Sequence, residues 1–242
     1  MISASKSITG KRIQNEDSIF SYDTDCLGVY AVADGMGGHK AGEVASRCVI
    51  DNVRQIASAL DTYGSIDSAL QSVCEQANKE VYRLSYENSS YFGMGSTLTL
   101  SVLDDVAVHV LNVGDSRLYH IHQGEISQIT QDHSYVYALV EAGIITEKEA
   151  MAHPKRNEIT KAIGVEQYIT PDLFHFYWDY GDYLLLCTDG VSGILSKEDL
   201  SEIFRSSGSV NDLAEKIVES AYKNGSKDNI SAIVVKNAEV EK

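Results

Sequence analysis

Apolar and polar positions along this chain follow two different periods, and each change of period marks a change of element. From Ser96 to Thr130 short apolar runs are cut by turn residues. They are Thr97 to Val102, a turn at Asp104-Asp105, Val106 to Val113, Arg117 to His122, a turn at Gln123-Gly124, and Ile126 to Thr130. Such short connections cannot make the crossover that parallel strands require, so the stretch reads as an antiparallel meander. Ser18 to Tyr22 and Leu27 to Ala33 predict another hairpin, turning at Asp23 to Asp25. Tyr183 to Cys187 and Ile230 to Val235 predict buried strands.

Helical spacing replaces the strand period twice. Ala41, Val44, Ala45, Cys48, Val49, Val53, Ile56 and Leu60 fall on one helix face, and Ile66, Ala69, Leu70, Val73, Ala77, Val81 and Leu84 on another, which predicts two adjacent antiparallel helices. A third helix is expected over Asn211 to Tyr222, with Asn211 as its N-cap. Between His133 and Gly164 the pattern weakens into short charged helical pieces, with a capping-box match at Thr146 and Glu149 and a proline at 154. An insertion of this kind is expected to form a mobile flap over a site. Antiparallel strands with helices grouped apart from them predict a layered α+β fold and not a doubly wound parallel sheet.

Composition narrows the possibilities. No Ser/Gly/Pro tract divides the 242 residues, so one domain spanning 1–242 is expected. The N-terminus has no apolar signal core, and runs such as Leu27 to Ala33 fall short of the roughly 18 residues a membrane helix needs. The expectation is a cytoplasmic protein without a membrane partner. A formal net charge of −15 argues against nucleic acid as partner, because phosphate backbones are held by clustered Lys and Arg. Cys26, Cys48, Cys74 and Cys187 are far apart with no C-x-x-C pair, which argues for reduced thiols and against a disulfide framework.

Four aspartates share one context, an apolar strand followed by a Gly or polar turn: Asp34, Asp115, Asp189 and Asp228. Any one of them alone could simply close an Asx-turn. Together they make a set of hard oxygen donors on rigid mounts, as Mg²⁺ and Mn²⁺ prefer. Adjacent cations in such a site share a water whose pKa drops from 15.7 toward ~7, giving a hydroxide for in-line attack on phosphorus. A guanidinium would hold the remaining phosphoryl oxygens, and Arg12 is the candidate. Cys48 and Arg54 satisfy the C-x5-R spacing of cysteine-dependent phosphatases. The residues between them contain no Gly to cradle phosphate and continue a helix, so Cys48→Ala is expected to retain full activity. No strand ends in the D-x-D-x-T or D-x-D-x-V motif of aspartyl-phosphate enzymes, and no acidic position of the set is lost, as it would be in a catalytically dead binding module.

The segments Arg12-Ile-Gln-Asn-Glu-Asp17, Ala33-Asp-Gly-Met-Gly-Gly-His39, Gly93-Met-Gly-Ser-Thr97, Val113-Gly-Asp-Ser-Arg117, His153-Pro-Lys-Arg-Asn157, Cys187-Thr-Asp-Gly190 and Lys227-Asp-Asn229 resemble, in order and spacing, the bacterial branch of the PP2C-type (PPM) protein serine/threonine phosphatases. The resemblance runs from about Ser7 to Val235. It implies a four-layer αββα sandwich, two central antiparallel sheets flanked by helices, with Mn²⁺ or Mg²⁺ at one edge. By position, Asp34 would bridge two metals and the Gly35 carbonyl would join one of them. Asp189 and Asp228 would complete the first metal's shell, Glu16 would reach the second, and Asp115 with Asp189 would hold a third, weaker ion. Arg12 would bind phosphate, with Asp17 and Asn229 supporting the ligands. The implied partners are phosphorylated proteins and a cognate serine/threonine kinase, with the phosphatase itself a monomer. Met36 stands where animal relatives carry a histidine proposed as general acid. His39 reads as a polar residue at the start of the first helix.

Overall fold

The computed structural model describes residues 1–24, 27–38, 41–58, 64–206 and 208–238; Asp25, Cys26, His39 and Leu60 lie outside them, as does the Ile56 side chain. The strands are β1 (Ile2–Ile8), β2 (Asp17–Asp23), β3 (Gly28–Met36), β4 (Gly95–Ser96), β5 (Leu98–Leu103), β6 (Ala107–Val113), β7 (Arg117–His122), β8 (Glu125–Gln128), β9 (Asp172–Tyr177), β10 (Tyr183–Cys187) and β11 (Ile230–Lys236). The helices are α1 (Ala41–Ala57), α2 (Ile66–Glu87), α3 (Tyr135–Glu141), α4 (Glu147–Ala152), α5 (Asp189–Ser192), α6 (Lys197–Arg205) and α7 (Val210–Lys223). One antiparallel sheet runs β1-β11-β10-β7-β8 and the other β2-β3-β5-β6-β9, with β4 pairing β3. Among the described residues no helix is long and apolar enough to cross a membrane.

Strand alternation sorts the side chains into layers. In β3, Val29, Ala31 and Ala33 pack with α1 and α2, while Tyr30 and Val32 turn to the other sheet. In β10, Leu185 and Cys187 meet the α5, α6 and α7 side, while Leu184 and Leu186 fill the layer between the sheets. The larger of these, the valines and leucines, contribute about 1.5–3 kcal/mol each on burial, so a strand buried on both faces is held from two directions. The result is the expected αββα sandwich.

Three details depart from expectation. The stretch from Ser96 to Thr130 is not one meander: β5 and β6 pair in one sheet, β7 and β8 in the other, and residues 114–116 carry the chain across. Gly114 makes that step at φ +102°, where a Cβ would stand 2.6 Å from Thr97 Cγ2, so only glycine fits. The cap of α7 is Ser209, which accepts the Asp212 amide in a reciprocal capping box, and Asn211 lies inside the helix. Strands β1 and β9 and helix α6, whose own capping box is Ser196 with Asp199, add elements that the apolar pattern did not announce. The hairpin of β2 and β3 forms as expected, α1 packs against α2, and the Thr146–Glu149 capping box opens α4.

Candidate active site

Antiparallel pairing in both sheets brings the ends of β3 and β10 and the starts of β2 and β11 to one rim of the sandwich. Asp34, near the end of β3, is the cross-strand partner of Asp17, which opens β2. Asp189 follows β10 as the first residue of α5, and Asp228 lies just ahead of β11. Asp115 sits in the sheet-to-sheet crossing. The close approach of the β10 and β11 ends depends on Gly190, where a Cβ would lie 1.8 Å from the Asn229 carbonyl oxygen. Gly42 in α1 does similar work: a Cβ there would stand 2.7 Å from the Gly35 carbonyl oxygen and 2.8 Å from Glu16 Oε1, so its absence leaves a cradle between those two donors.

Crowded, desolvated carboxylates resist ionisation. Burial, then Asp17, Asp189, Asp115 and Asp228 in turn, hold the Asp34 carboxyl well above its ordinary range. Asp115 is raised by burial and by Asp189 and Asp132. Burial lifts Asp17 to about 7, and burial with Asp228 lifts Asp189 to about 6, with Asp34 within hydrogen-bond reach of Asp189. Burial also raises Glu16. Asp17 Oδ1 and Asp189 Oδ1 are buried and accept no hydrogen bond. Orphaned buried oxygens, a cradle between a carbonyl and a carboxylate, and a donor set of oxygen alone fit hard divalent cations. The carboxylates of the rim are close enough to raise one another, and Arg12 is bonded to the outermost of them, Asp228. Among the described residues, the three donors that lie within 4.8 Å of one another are instead those of His120, His122 and Asp182, outside this rim.

Several side chains fix the rim. Asp17 Oδ2 accepts from Thr188 Oγ1 at 2.9 Å and Ser231 Oγ at 2.6 Å, tying the start of β2 to the opposite sheet. Asn229 accepts the Glu16 amide at 2.8 Å and donates to the Thr9 and Gln14 carbonyls at 2.9 and 2.8 Å, pinning the loop that carries Arg12 and Glu16. Arg12 Nη2 donates to Asp228 Oδ2 at 2.7 Å, and its side chain is 54% exposed, so the rest of the guanidinium faces solvent. Three supports escaped the sequence reading. The Asp34 amide donates to Thr97 Oγ1 at 2.9 Å, and Thr97 Oγ1 lies 2.7 Å from Ser116 Oγ, linking Asp34 to the crossing beside Asp115. Arg117 grips Asp132 through Nε and Nη2, and Gly42 supplies the cradle. The Gly93-Met-Gly-Ser-Thr97 motif pointed at Thr97; nothing local marked Asp132 or Gly42.

A cavity of about 730 Å³ opens from Asp115 and Asp189. Segment 133–164 walls it through Tyr137, Met151 and Arg156, facing Leu195 and Lys197, and Lys197 bonds Glu147 at 3.0 Å across the gap. Cys48 lies in α1, on another part of the fold, and burial with Glu80 pushes its thiol up to about 12, opposite to what a nucleophilic thiolate needs. Cys48→Ala is expected to leave kcat/KM unchanged; a loss beyond tenfold would contradict the geometry.

Residues 6–233 match the family described as Protein phosphatase 2C. The chain is 34% identical over 228 residues to the serine/threonine phosphatase stp of Listeria monocytogenes, covering 93% of this chain and 90% of that one. It superposes on the serine/threonine phosphatase Stp1 of Staphylococcus aureus with a TM-score of 0.89 at 35% identity, covering 99% of this chain and 95% of the other. It also superposes on the catalytic domain of the serine threonine protein phosphatase PstP in complex with two manganese ions, with a TM-score of 0.86 at 33% identity and 97% coverage of both chains. The chain therefore belongs to the protein phosphatase 2C family.

Proposed function

We propose that this protein removes phosphate from phosphoserine and phosphothreonine in proteins, using Mn²⁺ or Mg²⁺ held by the aspartate rim. The observation that carries the reading is the convergence of Asp34, Asp189, Asp228, Asp115 and Asp17 with two orphaned buried oxygens, an arrangement that without cations opposes its own ionisation. In this reading Asp34, Asp189, Asp228, Glu16 and the Gly35 carbonyl would hold the two core cations, with Glu16 and Gly35 acting from either side of the Gly42 cradle, and Asp115 with Asp189 would hold a third. The chemistry supplied by these cations when bound is ionisation of a water for direct in-line attack on phosphorus, with relief of charge on its oxygens. No side chain then carries the phosphoryl group. Asp17 and Asn229 keep the ligands and the Arg12 loop in place, and Met36, which has no proton to give, leaves protonation of the departing oxygen to solvent.

Segment 133–164 acts as the flap, and the peptide flanking the phosphorylated residue lies in the cavity beneath it. The protein works as a monomer in the cytoplasm, without nucleic acid, on substrates that include a cognate serine/threonine kinase. The likeness to the manganese-bound PstP domain and to Stp supports the metal and substrate assignments.

Chelated protein is expected to release no phosphate from a phosphothreonine peptide, and Mn²⁺ to restore release. A sample that is folded by circular dichroism and inert with both Mn²⁺ and Mg²⁺ would instead be a binding module. Arg12→Ala is expected to raise KM for the phosphopeptide about tenfold or more, with a smaller fall in kcat, because the exposed guanidinium holds phosphate in the ground state as well as later. An unchanged KM would confine Arg12 to its contact with Asp228.

A further inference from the structure

His120 and His122 lie two apart on β7 and therefore share one face of the strand. Leu118, on the same face, fills the layer between the sheets, and the His120 ring lies 5.0 Å from that of Phe176 on β9. Continuing the antiparallel register of β10 with β7 sets Asp182 across from His122. His120 Nε2 is 2.7 Å from Asp182 Oδ2 and His122 Nδ1 is 2.8 Å from Asp182 Oδ1. Asp182 is buried at 3% exposure and its Oδ2 also accepts the Asp179 amide at 2.9 Å, which fixes its orientation. Burial opposes its ionised form, but the Asp179 amide and the two histidines outweigh burial and hold the carboxyl below its ordinary value. Asp179 Oδ2 stands 3.9 Å from His122 Nδ1 on a side chain 81% exposed, close enough to swing in as a fourth donor. The catalytic rim is at the far end of the same strands: from Asp182 along β10 to Asp189 is roughly 20 Å at the rise of a strand.

We propose that His120, His122 and Asp182, completed by Asp179 or water, form a zinc site at the rim of the sandwich opposite the catalytic cleft. Two imidazole nitrogens with carboxylate oxygens suit Zn²⁺, unlike the all-oxygen rim that suits Mg²⁺ and Mn²⁺. Zinc at about 2.0–2.1 Å from each donor needs donors roughly 3.3 Å apart, so the present contacts open by about half an ångström. Each histidine presents its facing nitrogen unprotonated, the ring proton moving to its other nitrogen or to solvent. The backbone bond to Asp182 is the kind of outer support that orients metal ligands. A cation there ties the turn between β9 and β10 to the end of β7, remote from catalysis.

The test is a Zn²⁺ titration of the metal-stripped full chain, followed by the ring ¹⁵N resonances of its histidines and by bound zinc counted in native mass spectrometry. The expected result is a large movement of the His120 and His122 resonances at the equivalence point of one Zn²⁺. A His120→Gln/His122→Gln variant is expected to bind one Zn²⁺ fewer than the parent and to keep Mn²⁺-dependent turnover. Unmoved His120 and His122 resonances in the parent, even with zinc bound elsewhere, would reduce the cluster to a hydrogen-bond network. The resonances are read on the parent chain, so the proposal stands or falls on them even where the double substitution prevents folding.

Discussion

Asp34→Asn or Asp189→Asn is expected to lower Mn²⁺-dependent kcat by at least about 10³-fold while making the chelated protein more stable. The two effects have opposite signs because the same crowding has two consequences. With cations bound, each carboxylate would hold them in place against their mutual repulsion, and losing several kcal/mol of the resulting transition-state stabilisation corresponds to about three powers of ten in rate. Without cations, Asp34 is raised by burial and by four neighbouring aspartates, so removing its charge removes a penalty. Asparagine keeps the shape and the Thr97 contact, which is made by the backbone amide. Phosphopeptide turnover and thermal unfolding in chelator check both halves. A variant within tenfold of the parent in kcat, or one that melts earlier in chelator, would remove the aspartate rim from the mechanism.

The second large effect is a stability that falls as pH rises in chelator. Asp17 titrates at about 7 in the folded chain against 3.8 ordinarily, and Asp189 at about 6. Between about pH 4 and pH 7 the folded protein therefore holds protons that the unfolded chain has released, and stability declines through that window. Each tenfold difference in proton affinity between the folded and unfolded chain is worth about 1.4 kcal/mol, so Asp17 alone accounts for a loss of a few kcal/mol. Above about pH 7 Asp17 and Asp189 are ionised in both states and their own contribution is constant. Carboxylates such as Asp182, held below their ordinary values, contribute in the opposite sense below pH 4. Comparing the parent with Asp17→Asn in chelator isolates the effect: the variant should gain on the parent steadily from pH 4 to pH 7. Saturating Mn²⁺ should reverse the parent's trend, since cations bind the ionised carboxylates. Parallel pH curves for parent and variant would show that Asp17 is not under strain.

Much of the chain's organisation was legible beforehand because it is local. The β2–β3 hairpin, both long helices, the Thr146–Glu149 cap and the buried strands at Tyr183 and Ile230 each declare themselves within a few residues of sequence, through period or capping chemistry. The missed strands β1 and β9 are the outer strands of their sheets, where one partner and partial exposure leave a weak apolar pattern. The Ser196 and Ser209 capping boxes were readable signals for α6 and for the true start of α7.

The site divides the same way. Aspartates at strand ends, two of them before glycine, identify oxygen donors and the kind of cation they suit, since ligand type is a property of the residue itself. Their convergence depends on two sheets meeting face to face, with Asp17 bonded to Thr188 and Ser231 across sequence separations of 171 and 214 residues. The jump of residues 114–116 from one sheet to the other, the Arg12–Asp228 pair, the Gly42 cradle and the union of His120 and His122 with Asp182 were likewise settled only by packing. Short-range order follows from backbone period and caps, which each segment carries with it; long-range contacts follow from which faces are buried together, and no single segment holds that information.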